Sequence, residues 1–405
     1  MKKFCWLLLL AVPFSSAKIL AQDSLPAFNI ALILPFQAQS GVDMLEMFET
    51  SRDITFKNKI RLHPDAEVSL NYYLGTLQAL RHDSTTKVKL FVYDCGNNDS
   101  ITTVVLKKPE LKKMDAIIGA VSTSNARQVA DFCKQYKIPN IQPFSPSKSL
   151  TTDNPYHLKL APAIDAHVDA MFNSIVDSFA GGNIILYTPA IEKSLSVAQR
   201  FDSLFKDYNK TAVNKFTVSL LNTKDMLVNG KKTTASELLR SGKPNIWIIT
   251  SFDESFVNGN LRVLHSQRSD YRIVVYGMPT WLGGDILRLD YINDYNTRIT
   301  DPFYADTANA TATAFAADYI AEHEQMPDKY AYLGFDVTRF LLQNLVSNGR
   351  GFLNSLATQR YKGAGYIFDI AKNKLPAAPP AEAGLNYLEN RHVNVFRVSE
   401  YRLLK

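Results

Sequence analysis

DAIIGAVSTSNARQVADFCKQYKIPNIQPFSPS, residues 115–147, contains a complete strand-helix-strand unit. A short apolar run ends in Gly-Ala, a Ser/Thr/Asn-rich segment opens an amphipathic helix, and a Pro-led second strand ends in a Ser-Pro-Ser loop. Both polar loops follow the carboxyl ends of strands. In open parallel α/β sheets that edge binds ligands, because helix amino termini and free backbone N–H groups point into the crevice there.

The same alternation extends in both directions. Strand-like runs are expected at residues 29–35, 88–94, 115–119 and 140–144, and again at 183–187, 216–221, 245–250 and 272–277. Amphipathic segments lie between them at 68–81, 125–136, 164–179, 194–208 and 254–266. Runs such as IALILPF, NIWIIT and RIVVYG are apolar almost throughout, as parallel strands covered on both faces require. The fold class is therefore α/β, with two Rossmann-like, doubly wound parallel-sheet lobes and a ligand cleft between them.

Domain boundaries follow from the punctuation. Pro143, Pro146, Pro155 and Pro162 mark a crossover to the second lobe. The expected division is 28–150 plus about 281–355 for lobe 1, and 151–280 plus about 356–405 for lobe 2. Residues 278–306 form a second irregular stretch, followed by helices at 310–324 and around 335–347 and by strand-like pieces at 366–370 and 393–398. Residues 37–66 are too long for a βα connection of ~2–6 residues. Their apolar core, Met44 to Phe48, can fold as a short amphipathic helix capping the cleft mouth or forming a partner surface.

Composition sets the bounds. The chain has 405 residues, 46% hydrophobic and 21% charged, with a formal charge of +6 spread in short basic runs. That is the composition of a soluble globular protein, and the basic residues do not cluster with aromatics as a nucleic-acid surface would require. Residues 1–21 read as a signal peptide: Lys2 and Lys3, an apolar stretch over 5–14, then Ser15, Ser16, Ala17 and Ala21. Cleavage after Ala21, or alternatively Ala17, would release a periplasmic or otherwise extracytoplasmic chain. The apolar stretch is shorter than the ~20 residues of a membrane span, and Cys5 sits inside it rather than after the small residues, so no lipid anchor is expected. Cys95 and Cys133 fall at opposite ends of their βα units and are expected to stay unpaired as small apolar fillers.

The ordered set IALILPF, NYYLGTLQAL, VKLFVYD, DAIIGAVSTSNARQVADF and IPNIQPFSPS resembles the type I periplasmic-binding-protein fold. The later KYAYLGFDVTRFLLQNL is similar to the tyrosine-rich helix of the leucine/isoleucine/valine- and amide-binding branch. The resemblance implies two lobes joined by three crossovers and a ligand trapped by hinge closure. It also implies that the loops after the third and fourth strands, with Ser122, Thr123, Ser124, Phe144, Ser145 and Ser147, supply hydroxyls and amides to a ligand carboxylate. One of Ser122 and Ser124 is also expected to cap its helix. From the second lobe the candidates are Thr188, Ser251 and Trp281, the last as a stacking aromatic or as interlobe packing. This chain departs from the amino-acid binders at YTPAIEKS, which has no acid directly after the strand; Glu192 is either a substitute or a solvent-facing residue at a helix start.

Catalytic spacings are missing: no G-x-S-x-G, no P-loop, no H-E-x-x-H, no C-x-x-C and no G-x-G-x-x-G after a strand. Glu322, His323 and Glu324 are consecutive and splay around a helix, so no metal or other cofactor is expected, and no enzyme activity. Two functions remain. One is an extracytoplasmic solute-binding protein that hands a small polar, amino-acid-like or peptide-like ligand to a membrane transporter or sensor, as in ABC-type amino-acid transport. The other is a non-transport envelope protein that uses the same lobes to regulate or scaffold cell-wall synthesis.

Overall fold

The computed structural model describes residues 25–50, 61–150, 154–224, 227–228, 231–234, 236–266, 270–283, 288–356, 359–374 and 386–405. The signal-peptide expectation for residues 1–21 lies outside them. The chain opens with β1 (Ala27–Leu34), α1 (Ala38–Thr50), α2 (Pro64–Arg81), β2 (Lys87–Asp94), α3 (Asp99–Leu106), β3 (Ala116–Gly119), α4 (Thr123–Tyr136), β4 (Asn140–Gln142) and β5 (His157–Lys159). A second set follows: α5 (Ile164–Ser178), β6 (Asn183–Thr188), α6 (Glu192–Thr211), β7 (Thr217–Asn222), the small hairpin β8 (Leu227–Val228) and β9 (Lys231–Lys232), β10 (Asn245–Ile249), α7 (Glu254–His265), β11 (Ile273–Tyr276), α8 (Leu289–Asp294) and β12 (Arg298–Asp301). The remainder is α9 (Ala310–His323), α10 (Lys329–Asn348), β13 (Arg360–Lys362), β14 (Ile367–Lys374), β15 (Asn386–Asn390), β16 (Asn394–Ser399) and β17 (Arg402–Leu404).

These strands make two large sheets, in the orders β13-β14-β15-β5-β4-β3-β1-β2 and β17-β16-β12-β11-β10-β6-β7. Each is parallel through its centre, with Ile30 opposite both Leu90 and Ala116 in the first and Ile246 opposite both Ile184 and Val274 in the second. Two lobes result, and the chain passes between the sheets after β5, after β12 and after β15.

The pairing corrects the expected boundaries. Residues 360–390 were expected in lobe 2, but β15 runs parallel to β5 and β14 pairs with β15, so this segment completes the first sheet. Residues 281–301 were expected in lobe 1, but β12 pairs with β11 and with β16 in the second sheet. β12 and β15 are short and carry charge, as in Arg298 and Asp301 or Glu389, so no apolar run announces them.

Alternation along β1 shows why its residues are apolar on both sides. Ile30, Leu32 and Leu34 join a core beneath α2 and α10, while Ala31 and Ile33 join the core under α3 and α4. The second of these cores takes Cys95 and Cys133, both buried and both free thiols. Burial, with the neighbouring Asp94 carboxylate adding to it, pushes the Cys95 thiol up to about 11.

Helices α2 and α10 lie parallel and in backbone contact. Asn71, midway along α2, donates to Asp328 at the amino end of α10, and a Cβ on Gly75 would come within 1.9 Å of the Ala331 carbonyl oxygen. The relation is reciprocal, since a Cβ on Gly334 would lie 2.0 Å from the Tyr72 oxygen. The Leu-Gly pairs of NYYLG and KYAYLG thus place two glycines at one helix crossing. Asp336, two residues past Gly334, is buried, and its carboxylate accepts from the backbone N–H groups of Ala364, Gly365 and Tyr366 at 2.7–2.8 Å. Burial pushes this carboxyl up to about 6 in spite of the three donors. Asp336 therefore braces the loop leading into β14 rather than its own helix.

Candidate functional site

The carboxyl ends of β1 to β4 carry a tied group of loops. Ser122 caps α4: its Oγ accepts from the Asn125 N–H and donates to Asn125 Oδ1. Ser124 does not join the loop after β4. It turns to α3, where its Oγ donates to both carboxylate oxygens of Asp99 at 2.8 Å, beside the Asn125 amide at 2.7 Å. Thr123, exposed, meets Ser145, only 3% exposed, with their hydroxyl oxygens 3.1 Å apart. Ser147 instead pairs with Ser149 at 2.8 Å. The six first-lobe candidates therefore reduce to one hydroxyl pair, Thr123 and Ser145, at the amino end of a capped helix whose partial positive charge faces the same loop.

The residue that holds this arrangement is Gln142, at the end of β4. Its Oε1 accepts from the N–H groups of Phe144 and Ser145 at 2.8 and 3.0 Å, and its Nε2 donates to Ala120 O at 2.9 Å and Gly119 O at 3.3 Å. One buried carboxamide thus joins the two loops. The signal was present in the sequence as a lone amide between Ile141 and Pro143, and sequence reasoning passed over it. Gly119 itself sits at φ +124 with the Ile33 carbonyl 2.0 Å from where a Cβ would stand, so this turn admits only glycine.

Aromatic side chains line the same edge. Phe144 packs on Tyr72 with centroids 5.0 Å apart, and Phe36, after β1, meets Tyr73 edge-on at 5.9 Å. Asp94 anchors the loop between them, accepting from the N–H groups of Ala38 and Gly96 at 2.8 Å.

The second lobe is presented differently. Thr188 and Ser251 are fully buried, with the Thr188 hydroxyl donating to Pro189 O at 3.1 Å and Ser251 Oγ accepting from the Asp253 N–H at 3.1 Å. Trp281, read as a rim aromatic, is a core residue at 3% exposure. Its Nε1–H donates to Ser251 O at 3.1 Å and its ring lies on Gly277, where a Cβ would be 2.2 Å from it. Stacking on a ligand is therefore corrected to packing within the second lobe, because the glycine before it leaves a slot for the indole. What the rim does offer is Ile191 at 56% exposure, exposed Glu192, and Lys193, whose ammonium lies 4.0 Å over the Phe252 ring.

Between the lobes runs a chain of charges. Buried Lys159 pairs with buried Glu389 at 2.7 Å across adjacent strands, and Glu389 also takes Arg391 at 2.8 Å. Arg391 reaches Asp169 on α5, which in turn holds Arg200 on α6 at 2.5 Å. Lys148, just past the Ser147 loop, pairs with Asp165 on α5. Among the described residues, no cluster of three or more His, Cys, Asp or Glu side chains is placed to hold a metal, and no helix is long and apolar enough to cross a membrane.

Comparison with known proteins agrees with the two-lobed fold. A family profile described as periplasmic binding protein matches residues 82–365. No curated protein sequence matches the chain. Among solved structures, a protein provisionally described as a branched-chain amino acid ABC transporter from Rhodospirillum rubrum superimposes with a TM-score of 0.62 at 13% identity, covering 94% of this chain and 99% of that one. An ABC transporter substrate-binding protein from Desulfitobacterium hafniense, in complex with Leu, gives 0.56 at 12% identity, covering 93% and 99%. A solute-binding protein from R. palustris, in complex with benzoate, gives 0.51 at 14%, covering 93% and 95%. At these identities the likeness is one of fold.

Proposed function

The chain belongs to the periplasmic binding protein family, and from that premise we propose that it is an extracytoplasmic solute-binding protein. It traps a small carboxylate-bearing ligand, amino-acid-like or peptide-like, between its lobes and presents it to a membrane transporter or sensor. The observation that carries this reading is the Thr123–Ser145 hydroxyl pair at the amino terminus of α4, held by Gln142. A carboxylate there would accept from both hydroxyls and from first-turn N–H groups, and would gain ~0.3–2 kcal/mol from the helix end. The facing rim offers Lys193 and Phe252 and no acid directly after β6, which suits the apolar or carboxylate part of a ligand better than a free ammonium. Closure adds affinity only through contacts made in the closed state, so both rims must take part.

Thermal-shift screening of the mature chain against L-leucine, benzoate, short peptides, muropeptides and sugars tests this. A true ligand raises stability by about 2.7 kcal/mol at a hundredfold excess over its Kd, and Thr123→Ala with Ser145→Ala removes the shift. An unchanged shift in that double variant eliminates the site.

One observation favours the second reading, a non-transport envelope interaction protein. Helix α1 has no buried residue and exposes Val42, Leu45, Met47 and Phe48. A contiguous apolar face on a soluble lobe suits a protein partner. Silence of the whole ligand panel, together with recovery of one envelope protein that is lost on Leu45→Glu, would establish this alternative instead.

A further inference from the structure

The junction of the two sheets contains a small pocket of about 190 Å³, away from the loops that carry the hydroxyl pair. Three cations converge on it from separate parts of the chain: Arg360 and Lys362 from β13 in the first sheet, and Lys405, which follows β17 in the second. Asp306 is the one acidic side chain in its lining, and its carboxylate already accepts from the Ala308 N–H at 2.9 Å. None of the three cations enters an ion pair among the described residues. Their crowding has a measurable signature: burial holds the Lys405 ammonium below its ordinary range, and Lys362 and Arg360 add to that depression while Asp306 opposes it. Arg360 and Lys405 likewise help to depress His392 after burial does. Three like charges around a cavity raise one another's free energy, and a bound anion removes that cost.

The other lining groups fit the same chemistry. Asn309, in the wall, caps the 14-residue helix α9, so that helix directs its positive end towards the pocket. Asn394 contributes from β16, which makes the lining a joint product of both sheets.

We propose that this pocket binds a small oxyanion, of the size and charge of inorganic phosphate, and that the bound anion braces the two sheets against each other at their junction. Its volume of about 190 Å³ has room for a phosphate or a short carboxylate. Because the guanidinium of Arg360 presents a planar fork while Lys362 and Lys405 act as point charges, a tetrahedral oxyanion is held better than a halide.

The test uses the intact mature chain with inorganic phosphate, compared with potassium chloride at equal ionic strength. Phosphate is expected to raise Tm by about 5 °C at a hundredfold excess over its Kd, with chloride giving no such rise. Arg360→Gln with Lys362→Gln, both exposed positions that leave the cores intact, abolishes the phosphate effect, whereas Thr123→Ala with Ser145→Ala leaves it in place. The proposal is overturned if phosphate does no more than chloride, if the Arg360/Lys362 variant keeps the full shift, or if the shift disappears with the hydroxyl pair, which would place the anion in the cleft.

Discussion

Single residues set the acid response of the fold. His167 is buried on α5 with its Nδ1 2.9 Å from Thr300 Oγ1, and burial lowers its pKa to about 4; His157, beside Asn140 at 2.7 Å, is lowered to about 3 by burial and by Lys159. Both are neutral in the folded chain and titrate near 6.5 when it unfolds, so the unfolded state binds more protons as pH falls below 6.5. Their stability contribution is therefore complete at pH 7 and lost progressively towards pH 4, by up to about 3 kcal/mol each. Asp336 acts in the opposite sense, since its raised carboxyl gains stability as pH falls through 6. Urea midpoints at pH 7 and pH 5 should show a smaller drop for His167→Gln than for the parent; identical drops would rule His167 out. At this scale the sequence placed hydroxyls just after strands, as at Thr123 and Ser145, and folding brings those two within 3.1 Å. It was illegible at Trp281, because whether an indole faces a cleft or a core depends on the slot left by Gly277.

At the scale of elements, the near-continuous apolar runs of β1, β6, β10 and β11 identify themselves, since only burial on both faces rewards them. β5 and β12 do not, because His157, Lys159, Arg298 and Asp301 break the pattern and neighbouring strands supply the pairing. The α2–α10 crossing is the strongest element-level constraint. Gly75→Ala puts a methyl 1.9 Å from the Ala331 oxygen, and separating the helices should cost about 1–3 kcal/mol or more. Gly259→Ala, in α7 with nothing within 4 Å, should stabilise by about 0.5–1 kcal/mol through helix propensity. Chemical denaturation of the two variants gives opposite signs if the crossing is as close as described, and equal effects would contradict it.

At the scale of the whole molecule, a chain of charges crosses between the lobes from Lys159 to Arg200, with Arg391 in its middle. Removing it leaves Glu389, which is fully buried, with a partner fewer, and Arg391→Ala should cost about 3 kcal/mol. Arg200→Ala, at the half-exposed outer end, should cost under about 1 kcal/mol. Comparable losses of urea midpoint in the two variants would show that the chain is not organised around the junction.

The sequence by itself determined the α/β class, the two doubly wound lobes, ten of their strands and the polar loops after β3 and β4. Those features rest on local periodicity, turn chemistry and burial on two faces, all written in neighbouring residues. Only the tertiary structure decided which lobe receives residues 281–301 and 360–390, that Gln142 joins the loops after β3 and β4, that Trp281 points inward, and that Arg360, Lys362 and Lys405 share one pocket. Each of these depends on which segments meet in the folded chain, where register and packing, rather than any local pattern, select the partner.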